Sequence, residues 1–180
     1  MRNFKHFATL TSIILFFAAC SSDDDLPEVI NDEETITTVK LTLTTVGSGE
    51  TQTVIWTKDN EETITLDQDS SYEVSIQFLD ESDPNDVEDI TEEVIEEKDE
   101  HFVYFETTTE NLTIQSSEED VIDSNNKAIN LITTWQTPAV SSTGIVKAFL
   151  IHEPLTKTGE KRDDFGGETD IEVSFDVVVQ

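Results

Sequence analysis

The chain has 180 residues, 40 of them acidic against ten Lys and Arg, for a formal charge of −30. A surface so anionic repels nucleic acid, whose phosphates demand Lys and Arg, and it concentrates cations. Its single cysteine excludes an intrachain disulfide, so a buried core must carry the fold without covalent staples.

Residues 1–19 have the pattern of a secretory signal. Arg2 and Lys5 form a short basic start, and Phe7 to Phe17 is mostly apolar. That run is shorter than the about 20 apolar residues that span a bilayer. Ala18 and Ala19 then place small side chains ahead of Cys20. Phe17-Ala18-Ala19-Cys20 resembles the lipobox of bacterial lipoproteins, with Phe17 where leucine is usual. The resemblance implies cleavage before Cys20, diacylation of its thiol with palmitate-like chains, and acylation of the new N-terminus. Two or more chains anchor stably, since each buried methylene adds about 0.8 kcal/mol. Ser21-Ser22-Asp23-Asp24-Asp25 resembles the signal that sends Bacteroidetes lipoproteins to the outer leaflet of the outer membrane. Receptors read such a signal, and it is not itself an anchor. Once Arg2 and Lys5 leave with the signal, eight basic residues face all 40 acidic ones, a charge of −32. The remaining length suits one domain. Residues 20–34 are acidic and poor in apolar side chains, which predicts a disordered, lipidated tether.

From there the period becomes two. Val39, Leu41 and Leu43 alternate with Lys40, Thr42 and Thr44, the pattern of a strand with one wet face. Gly47-Ser48-Gly49 turns the chain into a second strand over 51–57, giving a hairpin. Lys58-Asp59-Asn60 is another turn, and a short strand is expected over 62–66. Tyr72, Val74, Ile76 and Phe78 mark a further strand. Residues 80–100 break the pattern with twelve acidic residues and one base, Lys98. Val87, Ile90 and Val94 recur at spacings of three and four, which predicts a helix with one narrow apolar stripe, capped by Ser82 or Asp83. The helix is expected to cross an end or edge of the sheet.

Strands then resume. His101, Val103 and Phe105 share one face, and Phe102 and Tyr104 the other. Leu112 and Ile114 mark a short strand, 116–127 reads as a loop, and 129–135 as a strand. Residues 145–152 are apolar on both faces except at Lys147 and His152, as in a central strand. A polar loop over 154–167 leads to Ile171, Val173, Phe175, Val177 and Val179 in strict alternation. Eight or nine short threonine-rich strands with one short acidic helix predict a mainly β domain over 35–180, an antiparallel β-sandwich of Ig-like architecture.

Ile90-Thr91-Glu92-Glu93, Glu100-His101-Phe102, Leu150-Ile151-His152-Glu153-Pro154 and Gly166-Gly167-Glu168-Thr169-Asp170-Ile171-Glu172-Val173 together resemble a group of small Bacteroidetes surface lipoproteins. Its members often carry the label "type 1 periplasmic binding fold superfamily protein". That label denotes a two-lobed α/β fold. Nothing in this chain alternates helix with strand, so the expected architecture stays the sandwich. The resemblance implies work beside TonB-dependent outer-membrane receptors in nutrient capture.

Two histidines remain in the mature chain, each beside carboxylates: His101 after Asp99 and Glu100, His152 before Glu153. Imidazole nitrogen with carboxylate oxygen suits zinc or copper, so His101, His152, Glu100 and Glu153 form a candidate metal set. Two half-exposed strand-end histidines without a ligand are the alternative. The acidic run over 80–100 could hold calcium or serve as a solvated helix face, and it lacks EF-hand spacing. Asp59-Asn60-Glu61 and Asp123-Ser124-Asn125 are oxygen-rich turns. Gly166-Gly167 lacks the Lys-Ser/Thr of a phosphate loop and reads as a tight turn. No nucleophile elbow, catalytic cysteine or triad pattern occurs. The expected function is a non-enzymatic binding or accessory module on the outer membrane. A metal-binding lipoprotein is the alternative, with a small hydrolase behind both.

Overall fold

Alternating apolar residues close into two sheets. The structure, a computed structural model, describes residues 35–180. The signal segment, Cys20, Ser21, Ser22, Asp23, Asp24, Asp25 and the rest of the tether lie outside the described residues. One sheet contains β1 (Thr38–Thr45), β2 (Thr51–Thr57), β3 (Asn60–Glu61), β5 (Ser71–Asp80), β6 (Glu88–Asp89), β8 (Thr113–Ser116) and β9 (Ile132–Gln136). Its order is β3-β2-β1-β5-β9-β8, with β6 on the far half of β5. The other sheet runs β4-β11-β10-β7, from β4 (Ile64–Leu66), β11 (Glu168–Val179), β10 (Ser142–His152) and β7 (His101–Thr107). Pairing is antiparallel except between β4 and β11, which run parallel.

The inward residues of both sheets form one core: Val39, Leu41 and Leu43 from β1, Val74, Ile76 and Phe78 from β5, and Val173, Phe175 and Val177 from β11. Burying each such side chain contributes about 1.5–3 kcal/mol. The strict alternation predicted for the last strand therefore points inward as expected. β10 is central, as its two apolar faces predict. Val146, Ala148 and Leu150 enter the main core. On the opposite face, Phe149 and Ile151 join Phe102 and Phe165 in a second cluster.

Two boundaries differ from the sequence reading. The helix α1 spans only Ile90–Glu96, capped by Asp89, whose carboxylate accepts from Thr91 N. Asp83 is occupied instead by a turn, accepting from Asn85 N at 2.9 Å. Glu88–Asp89 pairs with β5, so the chain is still extended where a helix was expected, and Val87 is exposed. Ile90 and Val94 are buried, and they carry the helix face. Thr91 fixes α1 to the sheet: its Oγ1 accepts from Phe78 N at 2.9 Å and donates to Phe78 O at 3.3 Å. The helix thus covers the half of β5 that β9 does not reach. The polar loop over 154–167 also contains a one-turn helix, α2 (Arg162–Phe165), whose Phe165 plugs the second cluster.

Candidate metal centre

β7 begins where β10 ends, and the antiparallel register sets His101 directly opposite His152. Their rings stack at 4.9 Å between centroids with planes 8° apart. Both lie on the core-facing side of their strands, at one end of the sandwich. The turn past β10 is tight: Glu153 has φ of 47°, and its N–H donates to Glu100 O at 2.7 Å. A left-handed glutamate is strained by roughly 1–3 kcal/mol. Here it brings the Glu153 side chain back over the β7 terminus.

The result is a three-ligand group. One atom each of Glu100, His152 and Glu153 lies within 4.8 Å of the others, the one such group of three among the described residues. His152 Nε2 is 4.0 Å from Glu100 Oε2. A tetrahedral ion with bonds of about 2.0–2.2 Å needs its ligand atoms closer than this. The Glu100 side chain, 58% exposed, is free to swing inward.

His101 has a different part. It is 3% exposed, and its Nδ1 donates to Glu97 O at 3.2 Å. A carbonyl only accepts, so the proton belongs on Nδ1. Nε2 faces Asp170 Oδ2 at 3.9 Å. Ring lone pairs lie in the ring plane, and near-parallel stacked planes do not aim two nitrogens at one point. The expected His101–His152 pair of ligands is therefore not formed in this geometry. His101 is a buried support on which the His152 ring rests.

The Gly166–Asp170 stretch packs against the same spot. Between Leu150 and Ile151 the β10–β11 register shifts, leaving Asp170 as the extra residue of a bulge. Bulges re-aim side chains, and this one turns Asp170 toward His101. Gly167, at φ of 66°, lies so close to the β10 terminus that an added Cβ would collide with His152 O and meet Glu153 O at 2.8 Å. Arg162 holds the turn, donating from Nη1 to Gly166 O at 2.8 Å and from Nε to Thr169 Oγ1 at 2.8 Å. Sequence spacing shows neither contact, although the paired glycines mark a place where only hydrogen fits.

The other oxygen-rich segments are not assembled in this way. Asp123 accepts from Asn125 N and Lys127 N and binds Lys157 Nζ at 3.0 Å. Both members of that pair are buried, at 3% and 7% side-chain exposure. Burial opposes ionisation of Asp123, but the Lys127 N–H and the Lys157 ammonium outweigh it and hold its carboxyl below the usual range. Asp99 is likewise lowered by the Ser124 hydroxyl and N–H. These carboxylates tie loops together. Glu92, Glu93 and Glu96 of α1, with Glu97 just past its end, border a concavity without converging on one point.

Among the described residues no helix is long and apolar enough to cross a membrane. The chain matches no protein-family model, no curated protein and no solved structure.

Proposed function

We propose that the protein is a lipid-anchored, surface-exposed binding module of the outer membrane, not an enzyme, and that it retains a zinc or copper ion through Glu100, His152 and Glu153. The N-terminal lipobox and acidic tract support the location, and the resemblance to small surface lipoproteins supports work beside an outer-membrane receptor. One observation carries the metal reading: the convergence of an imidazole and two carboxylates within 4.8 Å at the sandwich end. One nitrogen and two anionic oxygens suit a borderline divalent cation, with a fourth position left for water or a donor from a partner. The anionic field of the chain raises the local cation concentration.

Calorimetry of the full-length protein with zinc tests this. One ion per chain is expected, with affinity falling as pH drops because protons compete for the imidazole. His152→Ala should weaken binding at least about tenfold, in the range seen when metal-site partners are lost. His101→Phe, which keeps a flat ring under His152, should bind nearly as wild type. Unchanged affinity in His152→Ala sinks the assignment.

A further inference from the structure

β7 and β8 are edge strands of opposite sheets. A cavity of about 390 Å³ bordered by both strands contains Tyr104, Phe105, Phe165, Gln115 and Lys157 in its wall. That volume falls within the range of small-molecule sites, about 300–1,000 Å³. A second concavity along the β7 edge shares Tyr104 and Phe105 with it but is lined also by Glu106, Lys147 and Glu160.

The charge of this cavity departs from the rest of the surface. No Asp or Glu lines it, whereas each of the three other concavities described has at least two. Its one charged residue, Lys157, is neutralised: Nζ donates to Lys98 O at 2.7 Å and to Asp123 Oδ2 at 3.0 Å. An anion would find no free cation there and would be repelled by the domain. A cation would find no carboxylate. The cavity fits an uncharged ligand.

Its remaining chemistry is flat and two-sided. Tyr104 packs tilted by 49° against Phe165 with centroids 4.6 Å apart, and its hydroxyl donates to Glu160 O, so the ring is held before any ligand arrives. Phe105 is braced edge-on by Trp135 at 5.9 Å. Val103 N–H donates to Ile129 O, away from β10. In an antiparallel ladder the residue two further on points its peptide the same way, so Phe105 offers an N–H and a C=O toward the cleft. The exposed Gln115 amide adds a donor and an acceptor. A sugar ring matches both features: its C–H face packs on the negative π surface, and its hydroxyls donate and accept. A purely apolar ligand would leave these polar groups desolvated.

We propose that the cleft between β7 and β8 binds a neutral oligosaccharide that crosses the β7 edge, with one sugar ring on Tyr104, a neighbouring ring against Phe105 on the other face of the strand, and hydroxyls on Gln115 and the Phe105 peptide. Titration of the full-length protein tests it with xylohexaose, cellohexaose and mannohexaose, an oligogalacturonate, and an extended Thr-Val hexapeptide. At least one neutral hexasaccharide should bind. Its affinity should be insensitive to chelator, and unchanged at about 0.5 M salt, where screening lengths fall to a few ångströms. Tyr104→Ala should weaken it about tenfold, as for an aromatic at a binding hot spot. Gln115→Ala, an exposed change that leaves folding intact, should weaken it several-fold. The proposal is overturned if no neutral hexasaccharide binds, if the oligogalacturonate or the hexapeptide binds in their place, or if both variants bind as wild type. Loss of sugar binding on chelation also overturns it, by moving the site to the cation centre.

Discussion

Gly47 and Gly167 both have positive φ, at 100° and 66°, but their surroundings differ. A Cβ on Gly47 would meet nothing within 4 Å, while one on Gly167 would strike the His152 and Glu153 carbonyls. Gly47→Ala should therefore cost about 1 kcal/mol, the backbone term alone. Gly167→Ala should cost at least about 2 kcal/mol, because backbone must also move. It should weaken zinc binding too, since the displaced carbonyls belong to the β10 terminus that carries the ligands. Chemical denaturation of both variants checks this, and equal losses would refute the close packing. The sequence pointed to a tight turn at Gly166-Gly167, a local property of glycine. It was silent on the contact with His152, because which strand end a turn meets depends on register. His101 illustrates the same limit: its neighbours in sequence suggested a ligand, but its depth and stacking follow from pairing with β10.

Strands β1, β5 and β11 were legible because each has a wetter and a drier face, so Val39-Leu41-Leu43 and Val173-Phe175-Val177 announce themselves by period, whereas β10 was legible from apolar residues on both faces. α2 was not legible, because four residues make one turn and show no period. The start of α1 was misplaced because Val87 extends the apolar stripe in sequence while the Glu88–Asp89 pairing keeps the backbone extended. Loops were legible only as polar stretches. Their order comes from partners distant in sequence, above all the Lys157–Asp123 pair that joins the loop after β10 to the loop after β8. Asp123→Asn leaves Lys157 buried without its counter-charge and should cost about 3–5 kcal/mol at neutral pH. The pH dependence follows from the lowered carboxyl of Asp123. A depressed folded value stabilises above the unfolded value of about 3.9 and loses that contribution as pH falls through the folded value. The gap between wild type and Asp123→Asn in denaturant titrations should be full above about pH 5 and narrow below about pH 4. A gap that stays constant into acid would mean that packing, not charge, holds the loops.

For the molecule as a whole, the proposed address rests on linear sequence and the proposed task on residues that folding brings together. Targeting signals are read in linear sequence, whereas a binding site depends on residues brought together by folding, as Glu100 and His152 are. Both proposed sites take their ligand from outside the chain, and the proposed surface location would let them meet it in the medium. Cys20 is the only residue that can take a thioether-linked lipid, so Cys20→Ala should yield uncleaved precursor or water-soluble protein in fractionated cells. Retention of that variant in the outer membrane at the wild-type level would contradict the lipoprotein reading. Replacing Asp23, Asp24 and Asp25 with Ala tests the second step alone, because it spares the lipobox. Lipidation should persist, and the protein should move from the cell exterior to the periplasmic face. Protease added to intact cells reads the difference: wild type is digested and the triple variant is protected. Equal digestion of both would mean that the acidic tract is a solvated spacer and that something else in the chain directs export.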